Sequence, residues 1–321
     1  DADAAANKAL EALVESLGDD YTRFQPPIVT RNMATQLSSE VSGIGAQVEF
    51  RNNIVTIVTP LTGSPAEAAG LQPGDEVLKV DDESIADLNF MEAVEKIRGP
   101  KGSKVKLGIR RNGGIHIDIT VTRDIVKVPE IEIKWQGKVA VVRIMQFGRR
   151  TDVELRKQMA EIQAGNPDGI VIDVRNNPGG LLHAANIVVS NFVPTGSVVA
   201  KIETQDRERL EKTTDAPTIN ANVPVVVLVN KGSASASEIV AGALQDHDRA
   251  TVVGTKTFGK GSVQEIVQFR DGSSLKMTVA RWFTPNGHEI DGNGITPDVV
   301  VEHNERDLQL RKALEIIRLK R

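Results

Sequence analysis

Hydrophobic positions along the chain follow two periods, and the switches between them divide it into three segments. In residues 1–40 the spacing is helical: "ANKALEALVESLGDD" places Leu10, Leu13, Val14 and Leu17 on one stripe. The proline-containing stretch "RFQPPIVT" then interrupts the helix. This N-terminal helical segment reads as a helix that docks on the rest of the chain, with an oligomer contact as the alternative.

Residues 41–124 switch to period two. "AQVEF" and "NIVTIVT" flank the turn "RNN", and "DEVLKV", "KVKLGIRR" and "IHIDITVT" follow as further short strands. Two helices interrupt them: "SPAEAAG", opened by Ser-Pro, and "NFMEAVEKIRG", where Asn89 suits an N-cap. "LQPGDEVLKVDDESI" lies between the helices, "GIGA" precedes the first strand, and "GSPAEAAGLQPGDEVLKVD" runs from the first helix through the strand after it. This segment resembles a PDZ domain in the permuted form common in bacterial proteases. The resemblance implies a peptide-binding groove at Gly43, Ile44, Gly45 and Ala46. Gly43 and Gly45 would let successive N–H groups converge on a terminal carboxylate. Ile44 and Ala46 would line the pocket for the last apolar side chain. Without the surrounding domain, "GIGA" is simply a glycine turn.

Residues 125–321 alternate strands and helices. "KVAVVRIMQF", "GIVIDVRN", "SVVAKIE" and "VPVVVLVN" read as strands; "TDVELRKQMAEIQAG" and "LLHAANIVVSNFV" read as helices. Near-continuous apolar strands separated by helices predict a largely parallel sheet covered on its faces. "SVQEIVQFRDGSSLKMTVARWF" predicts a hairpin around Asp271 and Gly272. The last helix carries Leu310, Leu314 and Ile317 on one stripe, as packing would require. The whole is a multi-domain α/β chain.

Composition narrows the chemistry. The 321 residues are 40% apolar with a net charge of −4, and no apolar run approaches membrane-spanning length. The mild acidity gives no footprint for nucleic acid. With no cysteine, a thiol nucleophile, a thiolate metal site and a disulfide framework are excluded.

One stretch fits neither period. "KGSASASEIV" has linker composition, yet it lies between the buried strand "VPVVVLVN" and the helix beginning "EIVAGAL". Ligands are handled at the carboxyl ends of strands in such sheets. Small residues there let a nucleophile stand exposed while backbone N–H groups face the same point. A serine nucleophile among Ser233, Ser235 and Ser237 needs a base. His116, His183, His247, His288 and His303 are the only imidazoles. His183, at the start of a helix after "NPGGLL", is the best placed of them; His247 reads as an exposed helix end and His288 as a turn residue. There is no G-x-S-x-G elbow. A lysine held neutral by burial can replace histidine. Lys260 sits between glycines in "TFGKGSVQ", and by period two Lys260, Ser262 and Gln264 share a face. Gln264 is then placed to hydrogen-bond the amine. Lys256 is a weaker candidate and reads as a surface cation. "SSLK" at 273–276 matches S-x-x-K formally, but on a strand that helical motif cannot form.

"NKGSASASEIVAGALQD" followed by "GTKTFGKGSVQ", with "DVRNNPGG", "ARWFTPNG" and "GNGITPDVVVE", resembles the carboxyl-terminal processing proteases, or tail-specific proteases. The family pairs a loop serine with a lysine 25 residues on, the separation of Ser235 and Lys260. The resemblance implies a protease core like the crotonase superfamily and a serine endopeptidase. In it Ser235 is the nucleophile, Lys260 its general base and Gln264 the lysine's partner, with Ser233 and Ser237 in support. It further implies an oxyanion hole from the N–H groups of Gly180 and Ala236. No metal, nucleotide or other cofactor is required by any residue. The partners implied are proteins or peptides with free C-terminal tails; the family also allows an adaptor protein and a homo-oligomer through the terminal helices. It places an arginine between groove and core, for which Arg98 in "KIRGPKGS" is the candidate, although a cation at a helix C-terminus also serves as a cap. Because the family works outside the cytoplasm, the expected location is periplasmic or membrane-associated through a segment preceding Asp1. Two other readings remain open on the residues alone: an acyl-coenzyme A hydratase, whose oxyanion loops need no serine, and a pure peptide-binding module.

Overall fold

In the computed structural model of the protein, which describes residues 2–51, 54–302, 304 and 306–320, the chain forms two compact units. One comprises Asp1–Ser39 with Pro129–Arg321, the other Glu40–Val128. His303 and the tip of the "RNN" turn, Asn52 and Asn53, lie outside the described residues.

The larger unit is built on a six-stranded sheet in the order Ile131–Gln136, Val139–Ile144, Gly169–Asp173, Val225–Val229, Ala250–Gly254, Val299–Val300. The first pair is antiparallel and every later pair parallel. The apolar runs explain this burial on both faces. Along Val225–Val229 every residue is buried, and alternate side chains enter different cores. Val225, Val227 and Val229 face the helices Thr151–Ala164, Leu182–Ser190 and Ala236–Asp246. Val226 and Leu228 face Ala313 and Ile317 of the last helix, Leu308–Leu319. Each such side chain contributes about 1.5–3 kcal/mol by leaving water. Leu310 and Leu314 pack partly buried on that second core, so the stripe expected to pack does so.

A second sheet is wholly antiparallel. Ser274–Phe283 pairs with Ser262–Gln268 in the expected hairpin, and also with Arg23–Gln25 and Val198–Glu203. The proline stretch does more than interrupt. Arg23–Gln25 is a strand joining Ser274–Lys276, and Pro27 opens a second helix, Pro27–Ser38, where a missing N–H costs nothing. The N-terminal helix Ala2–Glu15 forms as expected, but its stripe is largely exposed: Leu10 is 41% and Leu13 65% exposed, Val14 is partly buried and Leu17 lies beyond the helix end.

The smaller unit is an antiparallel sheet of six strands, in the order Ala46–Arg51, Ile54–Pro60, Glu76–Val80, Lys104–Arg111, Ile115–Thr122, with Glu83–Ser84 on the third. Both helices start where their caps dictate. The Ser64 hydroxyl accepts the N–H of Glu67 at 3.2 Å, and Asn89 and Glu92 form a reciprocal capping box.

Candidate active site

Val225–Val229 ends at the carboxyl edge of the parallel sheet, and the serine loop turns directly into Ala236–Asp246. Two of the three serines hold that turn. The Ser233 hydroxyl donates to the Val174 carbonyl at 2.8 Å, that of Ser237 to the Asn177 carbonyl at 2.8 Å, and both residues are fully buried. Ser235, between them, has φ 53° and ψ −115°, a backbone conformation that favours glycine. Strain of this kind costs about 1–3 kcal/mol and persists only where the surroundings enforce it. It aims the Ser235 side chain into a cavity of about 320 Å³ that Lys260, Gln264, Gly180 and Ala236 also line.

Glu238 enforces it. This fully buried carboxylate accepts four hydrogen bonds, from the Thr257 hydroxyl at 2.6 Å and the N–H groups of Gly259 at 2.7 Å, Ser235 at 2.8 Å and Lys260 at 2.9 Å. One side chain thus fixes the backbone of the serine and of the lysine. Sequence reasoning passed over it, although an acidic residue three positions after a serine that opens a helix is the capping-box signature.

The Lys260 backbone is held a second time, because the buried Trp282 indole N–H donates to its carbonyl at 2.9 Å. Its ammonium lies 5.4 Å from the centre of the Tyr21 ring, another contact the sequence did not announce. Burial pushes the Lys260 amine below the ordinary lysine range; the charge of Lys276 adds to this and Glu238 opposes it. The ring face favours the ammonium form, but desolvation outweighs it. Gln264 lines the same cavity, yet its amide donates to the Ser262 hydroxyl at 2.7 Å and makes no hydrogen bond to the Lys260 amine. Ser262 and Gln264 do share a face, and the register shift beside them skips Val279 on the partner strand; the Gln264 amide is taken up by Ser262 rather than by the Lys260 amine.

The Gly179–Gly180 turn follows Gly169–Asp173 and is fastened by Asn177. The Asn177 amide oxygen accepts the Gly179 N–H at 2.9 Å, and its backbone carbonyl accepts the Ala234 N–H at 3.1 Å. A methyl group on Gly179, at φ 103°, would stand 2.8 Å from the Ser235 Cβ and 2.9 Å from the Ala236 nitrogen. Only glycine lets the two loops approach so closely. The approach brings Gly180 and Ala236 to the serine's side of the cavity.

The other candidates fall outside it. His183 is exposed, the His247 ring pairs with the Val198 carbonyl at 2.7 Å, and His288 lies 3.5 Å from Asp246; none of the described histidines lines the cavity. The placing of His183 at a site is therefore corrected. Lys256 is exposed, and Ser273 and Ser274 are spent on Asp271 and on Thr30 and Gln25. Among the described residues no group of three or more acidic or imidazole side chains could hold a metal ion.

Within the smaller unit, Gly43, Ile44, Gly45 and Ala46 line one groove of about 220 Å³ together with Arg98 at the end of the helix Phe90–Ile97. Gly45 has φ +75°, and a Cβ there would meet Ser64 at 2.6 Å and Val126 at 2.8 Å. Arg98 caps the helix and pairs with Glu95 at 3.1 Å, both side chains being well exposed.

An α/β unit with a strained loop serine and a half-buried lysine in one cavity, in one chain with a second unit that carries a groove, is the architecture of a PDZ-bearing serine peptidase. The matches agree: residues 138–301, about half of the chain, match peptidase family S41, residues 56–111 match the PDZ domain, and the chain belongs to peptidase family S41. A probable CtpA-like serine protease of Staphylococcus aureus (strain COL) is 38% identical over 303 residues, 94% of this chain and 61% of that one. Its counterpart in Staphylococcus saprophyticus is 40% identical over 295 residues, 92% of this chain and 60% of that one. The chain therefore spans about 60% of the length of these relatives. Among solved structures, the photosystem II D1 C-terminal processing protease matches with a TM-score of 0.60 at 28% identity, covering 98% of this chain and 86% of that one. A putative S41 protease from Bacteroides fragilis shares the fold, with a TM-score of 0.64 at 18% identity over 96% of this chain and 90% of that one. Membership of a peptidase family decides against the hydratase reading.

Proposed function

We propose that the protein is a serine endopeptidase of the C-terminal processing type, in which Ser235 and Lys260 form a catalytic dyad. The observation that carries the reading is the shared cavity: a strained serine and a lysine deprived of water line one space, their backbones tied to the same carboxylate. A neutral Lys260 takes the Ser235 proton as the hydroxyl oxygen attacks a peptide carbonyl. The tetrahedral oxyanion forms against the N–H groups of Gly180 and Ala236, Lys260 passes its proton to the leaving amine, and water then hydrolyses the acyl-enzyme. Gln264 acts indirectly, by holding Ser262 where the strand after Lys260 begins.

The groove at Gly43–Ala46 takes the free C-terminal tail of a protein substrate. Strand addition supplies affinity, and the N–H groups of the glycine turn receive the carboxylate. The setting is extracytoplasmic; no described helix is long and apolar enough to cross a membrane.

Cleavage of an unfolded protein by Ser235→Ala and Lys260→Ala enzymes tests the dyad. Each loses activity by orders of magnitude with an unchanged circular dichroism spectrum, as expected when members of one catalytic unit are removed. Substantial cleavage by Ser235→Ala, with Ser233 or Ser237 then essential, overturns the assignment.

A further inference from the structure

Among the described residues lining the catalytic cavity only two are charged, Lys260 and Lys276, and none is a carboxylate. The dyad uses one of them. Lys276 stands on the strand Ser274–Phe283, across from Ile266 on one side and from Arg23 on the other. It is half-buried, and the charges that bear on it are Arg23, which repels its ammonium, and Asp19, which attracts it. Lys260, whose own amine feels both Lys276 and Glu238, is the next charge inward. Asp19 is engaged by the Thr22 hydroxyl and the Tyr21 N–H, and no ion pair joins it to Lys276 among the described residues. Burial and Arg23 push the Lys276 amine below the ordinary lysine range. A cation kept half-dry beside Arg23, attracted by Asp19 but in no ion pair with it, is a cost that a ligand's carboxylate would offset.

We propose that Lys276 is an anion subsite of the catalytic cleft, which receives a carboxylate carried by the substrate close to the scissile bond. Lys276 lines the same cavity of about 320 Å³ as Ser235 and Lys260, and its charge bears on the Lys260 amine. An extended substrate alongside would present the carboxylate within about two or three residues of the bond cut. The carboxylate belongs either to an Asp or Glu side chain or to the substrate's own C-terminus. The position of the scissile bond rests on the Ser235–Lys260 reading; the charge of the subsite does not.

Internally quenched peptides with both ends blocked, carrying Glu or Gln at each position up to three from the cut, test the first source. Short peptides ending in a free carboxylate or an amide test the second. Wild type, Lys276→Met and Lys276→Arg are compared on each pair. The wild type favours the carboxylate member by about tenfold or more in kcat/KM, the scale of a charge-assisted hydrogen bond. Lys276→Met abolishes the preference and Lys276→Arg restores it. Preference in the Glu/Gln pairs assigns the side chain, and preference in the acid/amide pairs assigns the terminus. No preference in the wild type, a preference that survives Lys276→Met, or an equal loss on both members overturns the proposal. Anisotropy binding of the same pairs to Ser235→Ala and Ser235→Ala/Lys276→Met proteins reads the subsite without catalysis, so it stands even if the dyad fails. If Lys276→Met fails to fold, Lys276→Gln is read on the same pairs.

Discussion

The backbone N–H groups of Ser235 and Lys260 donate to the same oxygen of Glu238, at 2.8 and 2.9 Å. The proposed nucleophile and base lie 25 residues apart in sequence, and this carboxylate ties their main chains together. Glu238→Gln is nearly isosteric, but its NH₂ would face two donors that need an acceptor. Each unsatisfied buried donor costs about 1–3 kcal/mol, so the variant unfolds at a lower temperature and loses about tenfold or more in kcat. A variant with wild-type kcat and melting temperature would show that Glu238 does not position the pair.

The pH profile follows from the environment of Lys260. Its amine must be neutral to accept the serine proton, and burial lowers its pKa from the ordinary 10.5. Activity therefore rises from neutral into mildly alkaline pH and levels off before the ordinary lysine value is reached. The stability sign is the reverse of an ion-paired lysine. Below the folded pKa both states are protonated and the fold bears the cost of a buried charge. Stability is recovered as pH climbs from the folded pKa to the unfolded one. Lys260→Met is accordingly inactive yet melts no lower at neutral pH. An activity maximum below neutrality would point to a carboxylate or imidazole base instead.

How much of this was legible beforehand differs by kind of residue. The parallel strands were readable because burial on both faces forces continuous apolar runs such as Val225–Val229. The helix starts at Ser64 and Asn89 were readable from local capping chemistry. Contacts made across long separations were not. Nothing near Arg23–Gln25 announces its pairing with Ser274–Lys276, and nothing near Tyr21 announces the Lys260 amine. Period two places Gln264 and Ser262 on one face correctly but does not decide which neighbour the Gln264 amide takes, and it takes the Ser262 hydroxyl. The exposed stripe of the first helix shows that an amphipathic pattern specifies a face without specifying what covers it.

The peptide groove gives a prediction independent of catalysis. Gly45 combines φ +75° with no space for a Cβ. Gly45→Ala is therefore expected to distort the turn whose N–H groups are proposed to receive the carboxylate, and to weaken binding of a free-acid peptide to the Ser235→Ala protein by about tenfold. Amidating the peptide has a similar effect on the unsubstituted groove. Equal affinity for free and amidated peptides would mean that the groove does not read tails.

Arg98 offers the sharpest distinction between structure and regulation. As a helix cap its work is slight: the pair with Glu95 is 39% and 41% exposed on its two sides, and such a pair contributes at most about 1 kcal/mol. Yet the side chain lines the groove and lies against the turn, where a Cβ on Gly43 would meet its Cγ at 3.7 Å. A cation so placed can exchange Glu95 for another partner when a tail fills the groove, which is what coupling between tail binding and cleavage requires. Arg98→Ala should then fold normally and still bind tail peptides, while cleaving substrates with favourable and unfavourable tails at nearly equal rates. The ratio of the two rates, measured on one substrate body with exchanged tails, is the deciding quantity. If the variant keeps the wild-type ratio, Arg98 is a cap and the coupling runs through other residues.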